Sequence, residues 1–359
     1  MLFYKKIIIT LILVIFTYII WKLLKHRREI LSLPNKPIQK EGFSPFQFFS
    51  SSDPDSELKG LIDESPVLIQ NMNPKYTKNP LRDYVIKSSY NSAITGNYVN
   101  LDMIKYLFKR GCRFMDFEIF YINKKPVVAY STDKNIDTID TNNSILLDTV
   151  LSSVVSYAFS PPSPNYEDPV FIHLRIKSKD PAVYKAVSKS IDFALKAKLY
   201  NKKVTNSTVL SDIMGKAVLI MDKTINRDYA KSSSCLTTEP ECYDLSKVVN
   251  MESGGETLYL QRYSELLNQC SIPPIIKDDC VACTNIQNMR LVLPDVNFKN
   301  TKNPSLYDFV KNFGCQMVTY RFYTKDAELD NYETFFNDNK SAIVPLAHAI
   351  QYIRDNKSN

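Results

Sequence analysis

The sequence of 359 residues is short of glycine and histidine, with 8 of the first and 3 of the second. Neither GxGxxG nor GxxxxGKS/T occurs, which argues against dinucleotide-binding and P-loop folds. A basic stripe interleaved with aromatic residues is also absent, which argues against a nucleic-acid partner. The net charge of +7 fits ordinary solubility or a preference for anionic surfaces such as acidic lipid.

The seven cysteines lack the spacing of a zinc site. Cys112 and Cys315 each follow a glycine beside apolar runs, a pattern typical of buried thiols. The other five fall in one segment: Cys235, Cys242, Cys270, Cys280 and Cys283. The last two form a CxxC, but no second close pair accompanies it. Plain thiols are the favoured interpretation, ahead of disulfides and then zinc.

An apolar run near the amino terminus predicts a single-pass membrane anchor over residues 1–28. Residues 7–24 read IIITLILVIFTYIIWKLL, long enough to span a bilayer as a helix. Tyr18 and Trp21 stand where interfacial aromatics occur, and Lys22 is able to snorkel. A cleaved signal peptide is the rival interpretation, but the run ends in WKLLKHRRE without a small-residue cleavage site.

The orientation of this anchor follows from the charges that flank it. Two basic residues precede the span and four follow it: Lys5 and Lys6, then Lys22, Lys25, Arg27 and Arg28. The excess after the span predicts a main domain on the cytoplasmic side. The cysteine cluster favours the opposite side, because disulfides persist in oxidising compartments.

The rest of the chain divides into a linker and an ordered domain. Residues 29–75 are rich in Ser, Pro, Lys and Asp without periodicity, which predicts a flexible linker. From 76 to 353, strand-like and helix-like segments alternate, and without a dinucleotide fingerprint this predicts a parallel α/β barrel. The cysteine-bearing segment 225–285 lacks clear periodicity and is predicted to be an insertion.

The periodicities place the individual elements. Strands are expected at 83–88, 113–121, 126–130, 169–176, 217–221, 289–293, 316–323 and 342–344. Helices are expected at 101–110, 144–158, 180–199, 305–312 and 328–337. Asn143 or Ser144 is the expected cap of the second helix, and Asp180 caps the third.

Three groups of motifs carry a family resemblance. Residues 80–131 contain SSYNSAITG, GCRFMDFE and PVVAYS, residues 214–223 read MGKAVLIMDK, and residues 313–324 read FGCQMVTYRFYT. They resemble the X-box (80–223) and Y-box (286–345) of phosphatidylinositol-specific phospholipases C. The resemblance implies a distorted TIM (β/α)8 barrel of the PLC-like phosphodiesterase type. That family's accessory lipid-binding domains are missing.

The resemblance also implies a site with altered residues. The family uses two histidines for proton transfer, and it holds calcium with an asparagine and three carboxylates. Both histidine positions hold tyrosine here, and the last carboxylate position holds arginine. In chain order the matching residues are Tyr90, Asn91, Asp116, Glu118, Tyr130 and Arg175. The family has two phosphate-binding lysine positions; this sequence has Met221 at the first and Lys223 at the second. Arg290 matches a phosphate-binding arginine of the family with an offset of one residue.

These replacements weaken the expected chemistry. Tyrosine, with a pKa of about 10, is a poor proton-transfer group near neutral pH. His173 shares strand parity with Arg175, so it is either a substitute base or a packed interior histidine. Calcium would have only Asn91, Asp116 and Glu118 as side-chain ligands. Arg175 is expected to pair with those carboxylates, or else to hold an anionic phosphate in place of the metal.

Three functions remain open from the sequence. The first is a pseudoenzyme, a membrane-anchored barrel that binds a phospholipid headgroup or a protein partner without cutting it. The second is an active phosphoric diester hydrolase with a non-histidine mechanism, supported by acidic residues at the strand ends. The third is a structural membrane protein that uses the barrel as a scaffold.

Overall fold

The fold was analysed in a computed structural model, which describes residues 53–132, 138–235, 242–296 and 302–357, together with Tyr18 and Trp21. Within those ranges, no helix combines the length and the apolar character that crossing a bilayer requires. The predicted anchor, apart from Tyr18 and Trp21, lies outside the described residues.

Strands and helices alternate through most of the described chain. The strands are β1 (Tyr84–Ser89), β2 (Phe114–Ile122), β3 (Lys125–Ala129), β4 (Ile145–Leu146), β5 (Val170–Lys177), β6 (Ala217–Asp222), β7 (Met251–Ser253), β8 (Leu258–Arg262), β9 (Met289–Leu293), β10 (Met317–Tyr320) and β11 (Ile343–Pro345). The helices are α1 (Pro54–Leu61), α2 (Leu101–Lys109), α3 (Leu147–Ala158), α4 (Ala182–Leu195), α5 (Tyr229–Ser233), α6 (Leu245–Val248), α7 (Tyr263–Leu267), α8 (Leu306–Phe313), α9 (Ala327–Asp338) and α10 (Leu346–Lys357).

Eight parallel strands form a nearly closed barrel in the order β7-β6-β5-β2-β1-β10-β9-β8. Among the described residues no strand pairing joins β7 to β8, so a seam remains between them. β11 adds antiparallel to β1, and β3 adds antiparallel to β2. The predicted barrel is therefore confirmed. Strands such as β1 and β6 are buried at every position, as expected when helices cover the outside of a parallel sheet.

The helices cover the barrel through apolar stripes. In α3 the buried positions recur at three- and four-residue intervals, at Leu147, Val150, Leu151, Val154 and Ala158. That helix packs between α2 and α4. Its N-cap position is Leu146, which ends the short strand β4, so neither Asn143 nor Ser144 caps it as predicted.

Asn143 and Gly314 show how loops join these elements. The Asn143 side chain accepts from the Val99 amide at 2.7 Å and donates to the Val99 carbonyl at 2.9 Å, so it ties two loops together rather than capping α3. Gly314 ends α8 with φ of 62°, a left-handed conformation that glycine adopts without a steric penalty.

Segment 225–285 contributes two strands to the barrel, so its prediction as an insertion is wrong over those strands. It supplies β7 and β8, which are three and five residues long. Only Leu258 of β8 is buried, and β7 carries Glu252 between two buried residues, so neither strand shows the apolar run that marked β9.

The cysteines of this segment are mostly paired, so the favoured interpretation as plain thiols is wrong for four of them. Disulfides join Cys235 to Cys242 and Cys280 to Cys283. Cys112 and Cys315 are fully buried free thiols, as predicted, and the free thiol of Cys270 is exposed.

The predicted linker is also wrong over residues 53–75, which pack against the barrel. Asp53 caps α1 by accepting from the Ser56 amide at 2.7 Å. Leu58, Ile69 and Met72 are buried in the core. The polar composition that resembled a linker belongs in part to a helix cap and its first turn. Residues 29–52 lie outside the described part of the chain.

Candidate functional site

Five of the six residues predicted from the family pattern lie on or just after β1, β2 and β5, and Tyr130 directly follows β3. The register pairs Asp116 with His173 and Glu118 with Arg175, so all four side chains face the barrel interior. Tyr90 directly follows β1, and Asn91 comes next with φ of 45°. All six predicted residues are at most 7% exposed: Tyr90, Asn91, Asp116, Glu118, Tyr130 and Arg175.

The guanidinium of Arg175 is bonded to three of these side chains. Its Nε and Nη2 donate to the two carboxylate oxygens of Asp116 at 2.8 and 2.7 Å. Its Nη1 donates to Glu118 Oε1 at 2.5 Å, and Nη2 also donates to Asn91 Oδ1 at 2.7 Å. The ring of Tyr90 stacks over it, with its centroid 4.7 Å from the guanidinium carbon. The expected ion pair between Arg175 and the carboxylates is therefore present.

The second carboxylate oxygen of Glu118, Oε2, contacts Lys177 and Ser131. Lys177 Nζ lies 2.9 Å from Glu118 Oε2, and the Ser131 amide donates to that oxygen at 3.0 Å. Lys177 also donates to the Ser131 carbonyl at 3.0 Å. Lys177 was not predicted as a site residue, although it shares strand parity with Arg175 on β5.

The charges of this cluster hold one another in their ionised forms. Burial acts to raise the pKa of Asp116, but Arg175 and His173 outweigh it, and the pKa lies below its ordinary value. Burial likewise opposes ionisation of Glu118, yet Arg175 and Lys177 bring its pKa below the ordinary value. The pKa of Arg175 is raised well above its ordinary value, because both carboxylates outweigh the effect of burial. Neither carboxylate is therefore a good proton acceptor at neutral pH.

The two tyrosines at the histidine positions cannot exchange protons near neutral pH. Burial raises the pKa of Tyr90 above its ordinary value, although the nearby Arg175 counteracts this in part. Burial also raises the pKa of Tyr130, and Tyr323 adds to the effect. Both phenols are therefore neutral across the physiological range.

His173 is bonded through both ring nitrogens inside the barrel. Its Nδ1 lies 2.8 Å from Asp116 Oδ1, and its Nε2 lies 2.9 Å from Ser253 Oγ. This order of serine, histidine and aspartate resembles that of nucleophilic hydrolases. All three residues are completely buried, which favours the interpretation as a packed interior histidine. Ser253 was missed because it lies on β7, within the supposed insertion.

Calcium does not fit the residues that the resemblance assigned to it. Asn91 Oδ1, both oxygens of Asp116 and Glu118 Oε1 already accept hydrogen bonds from Arg175. A divalent cation would need those same oxygens and would meet the guanidinium charge within the same shell. Across the described residues, no group of three or more histidine, cysteine, aspartate or glutamate side chains is arranged to hold a metal.

Lys223 lies apart from the Arg175 cluster. It directly follows β6, and its Nζ lies 3.3 Å from Glu252 Oε2. Because Asp222 and Ser253 form the inward pair of this register, Lys223 and Glu252 lie on the outer side. There they line a cavity of about 350 Å³ beside β7, together with Lys203.

Arg290 also lies apart from the cluster. It is the second residue of β9, and its Nη1 donates to Gln261 Oε1 at 2.6 Å. Its register partner is Tyr259, on the outer face. The arginines whose charges act on the buried tyrosines are instead Arg262, which ends β8, and Arg321, which follows β10. They were not identified from the sequence.

These features define the structural class of the protein. The chain is a parallel α/β barrel with charged side chains at the carboxyl ends of its strands, where barrel proteins place their functional sites. Residues 77–223 match the family model described as phosphatidylinositol-specific phospholipase C, X domain. The resemblance inferred from the motifs is thereby confirmed. No curated protein matches the chain in sequence.

Several solved structures are similar to this chain. PLC21 of L. pealei is 16% identical, with a TM-score of 0.57, and the match covers 81% of this chain and 40% of that one. PLC21 of S. officinalis is 17% identical, with the same TM-score and coverage. The phosphatidylinositol-specific phospholipase C of Listeria monocytogenes is 13% identical, with a TM-score of 0.43, covering 81% of this chain and 99% of its own. The chain therefore spans less than half the length of the L. pealei and S. officinalis proteins, and the likeness to them shows the fold alone.

Proposed function

We propose that this chain is a catalytically impaired phospholipase-C-like barrel that binds its partner at a membrane without hydrolysing it. The observation that carries the proposal is the Arg175 cluster, in which one guanidinium occupies the carboxylates that the chemistry would need. Tyr90 and Tyr130 add to it, because neither phenol transfers protons near neutral pH. Loss of one proton-transfer group typically costs about 10²–10⁴-fold in rate, and two are replaced here.

The proposed ligand is an anionic phospholipid headgroup or a protein partner. Two observations support the headgroup: the net charge of +7 and the partly exposed Arg262 at the carboxyl end of β8. The low exposure of Tyr90, Tyr130 and Arg175 supports a protein partner, because a ligand would need to bind outside the buried cluster.

The proposal includes single-pass attachment to the membrane through residues 1–28. The charge asymmetry around that segment favours a barrel on the cytoplasmic side, whereas the two disulfides favour an oxidising compartment. Protease treatment of sealed membrane vesicles decides between them. A barrel that is digested only after the membrane is opened lies on the enclosed side.

The primary test is hydrolysis of phosphatidylinositol. The full chain is incubated with phosphatidylinositol vesicles, with and without calcium, and released inositol phosphate is measured against an active phosphatidylinositol-specific phospholipase C. We expect no release above the protein-free blank in either condition. Release that disappears in Asp116→Asn or Arg175→Ala would contradict the proposal and make those residues catalytic.

Binding is measured with the domain that lacks residues 1–30, because the proposed anchor would insert into vesicles of any composition. Co-sedimentation is compared between vesicles that contain phosphatidylinositol and vesicles of phosphatidylcholine alone. If a headgroup is the ligand, Arg262→Ala weakens sedimentation with the anionic vesicles, and Arg290→Ala on the outer face serves as the matched control. Equal sedimentation with both kinds of vesicle directs the search to a protein partner.

An active hydrolase with a different mechanism is the second candidate. The hydrogen-bonded row of Ser253, His173 and Asp116 is the specific observation in its favour. That mechanism requires the buried serine to become accessible to substrate. Labelling of Ser253 by a fluorophosphonate, lost in His173→Ala, would support it.

A further inference from the structure

We infer that the solvent-facing side of helix α4 is a contact surface for anionic lipid, formed by lysines around an exposed phenylalanine. The helix lies on the outside of the barrel, between β5 and β6 in the chain, and shares no residue with the charged cluster at the strand ends. The inference concerns the negative charge of a bilayer surface rather than one headgroup, so it goes beyond the proposed function.

Lysines are concentrated in α4 and in the residues that follow it. Residues 181–205 contain six lysines and a single acidic residue, Asp192. Lys185, Lys189 and Lys196 recur at intervals of four and seven residues, so they lie along one side of the helix. Lys196 is the C-cap residue and keeps the helical conformation, which continues the row to the end of the helix.

Phe193 stands within this row of lysines and faces away from the barrel. The helix packs inward through residues such as Val187 and Ile191. Phe193 follows Ile191 by two residues, a rotation of about 200° around the helix axis. It is 76% exposed, more than any other large apolar residue among those that the structure describes. Lys189 precedes it by four residues and Lys196 follows it by three, so both flank the ring.

The contacts that these lysines make within the chain leave their charges at the surface. Lys196 Nζ lies 3.4 Å from Asp192 Oδ1, and the lysine side chain is 77% exposed. An ion pair of this kind contributes little and is screened by salt, so it yields to a charged surface. Lys189 Nζ lies 5.7 Å from the centroid of the Tyr243 ring, a contact that keeps the ammonium group charged.

This combination of side chains fits an anionic lipid surface. Lysines near such a surface are attracted to it within about a Debye length. An aromatic ring between them enters the boundary between headgroups and acyl chains. A nucleic-acid duplex would satisfy the lysines but give the ring no partner, and a single strand is bound by several stacked aromatic residues rather than one. The proposed anchor would keep the barrel near a bilayer, where a weak contact is sufficient.

Vesicle co-sedimentation of the chain without residues 1–30 tests the inference. The barrel core begins at Leu58, so this truncation leaves it whole. Phosphatidylcholine vesicles that contain phosphatidylserine should sediment the chain at low salt but not at high salt, and vesicles of phosphatidylcholine alone should not sediment it. Lys189→Glu should weaken the binding about tenfold or more. Lys311→Glu is the matched control, because it makes the same charge change on exposed α8 at the opposite side of the barrel.

Fluorescence measures whether position 193 itself meets the bilayer. The sequence has one tryptophan, Trp21, which the truncation removes, so Phe193→Trp carries the sole tryptophan. We expect its emission to move to shorter wavelength with the phosphatidylserine vesicles, because the ring enters a less polar region. Leu267→Trp on α7, also at an exposed position, should show no such shift.

Each outcome decides the inference. Salt-sensitive binding that Lys189→Glu loses and Lys311→Glu keeps, with a shift at position 193 alone, supports it. Failure to bind phosphatidylserine vesicles overturns it, as does equal loss in the two lysine variants or an unchanged emission at position 193. Binding of a DNA duplex that Lys189→Glu abolishes, without binding of vesicles, overturns it and assigns the surface to nucleic acid. These vesicles contain no inositol lipid, so failure of the proposed headgroup site would leave the results unchanged.

Discussion

Asp168 shows how strongly burial acts on a single carboxyl group in this barrel. It accepts a hydrogen bond from the Met72 amide at 2.7 Å and one from Asn165 Nδ2 at 3.1 Å. Burial nevertheless raises its pKa from 3.8 to about 6, against the opposing effect of Arg113. The native state therefore binds a proton here that the unfolded chain releases between about pH 4 and 6.

This shift makes a pH-dependent contribution to stability. A raised native pKa favours folding at low pH. This contribution to the unfolding free energy falls as the pH rises from about 4 to about 6, and above pH 6 it no longer changes. Relative to Asp168→Asn, wild type should lose about 3 kcal/mol of unfolding free energy across that range. Urea unfolding of both proteins at several pH values measures the difference, and parallel curves would contradict the prediction.

The three free thiols are expected to differ sharply in reactivity. Burial raises the pKa of Cys112 to about 12, and it also raises the pKa of Cys315. Both thiols therefore lack the thiolate that alkylation requires, whereas Cys270 is exposed. Iodoacetamide should add one label to the native chain and three to the unfolded, unreduced chain, counted by intact mass. Three labels on the native chain would argue against this burial.

At the scale of elements, α1 attaches to the loop that follows β1. Glu57 Oε2 accepts from Thr95 Oγ1 at 2.9 Å and from the Asn97 amide at 3.0 Å, and its Oε1 accepts from Asn97 Nδ2 at 2.6 Å. This loop also carries Asn91, so residues outside the barrel help to support the strand end where the charged cluster lies.

Removal of this attachment should loosen the loop without unfolding the barrel. Glu57→Ala is expected to lose about 1–2 kcal/mol of unfolding free energy, since three hydrogen bonds to a carboxylate disappear. Amide hydrogen exchange should accelerate over residues 94–100. Glu64→Ala is the control, because its exposed side chain contacts only Lys109 at 3.7 Å and should change stability little. Equal exchange in the two variants would be evidence against the attachment.

At the scale of the whole molecule, the barrel closes least completely between β7 and β8. Gly254 lies between these strands with φ of 84°, and its amide donates to the Leu258 carbonyl at 2.9 Å. A Cβ there would lie 2.3 Å from Thr224 Cγ2. The turn therefore requires glycine for both its conformation and its packing.

Gly254→Ala should weaken the barrel at this seam. We expect a loss of about 2 kcal/mol in unfolding free energy from backbone strain and the close contact. Hydrogen exchange should then accelerate in β7 and β8 more than in β2 and β5. Gly60→Ala, within α1 and without atoms near the added Cβ, should instead be neutral or stabilising by up to about 1 kcal/mol. Similar losses of unfolding free energy in both variants would show that the turn between β7 and β8 does not require glycine.

The sequence alone determined the class of fold and the residues at three strand ends. Alternating patterns and the motifs around Tyr90, Asp116 and Glu118 were sufficient, because long strands and helices carry their periodicity locally. The same information failed for β7 and β8, since these two strands lack the apolar run that marked the equally short β9. It also failed for residues 53–75, whose order depends on contacts with the barrel rather than on local composition.

Only the tertiary structure decided what the site residues do to one another. Arg175, Asn91 and Glu118 are far apart in the chain. The register of β2 against β5 brings Glu118 to Arg175, and the pairing of β1 with β2 brings Asn91 to the same place. The alternation of side chains along each strand depends on where that strand begins. It puts Lys223 and Arg290 on the outer face of the barrel and Ser253 beside His173. Neither register nor parity is encoded locally in short buried strands, because both are fixed by pairing with distant segments.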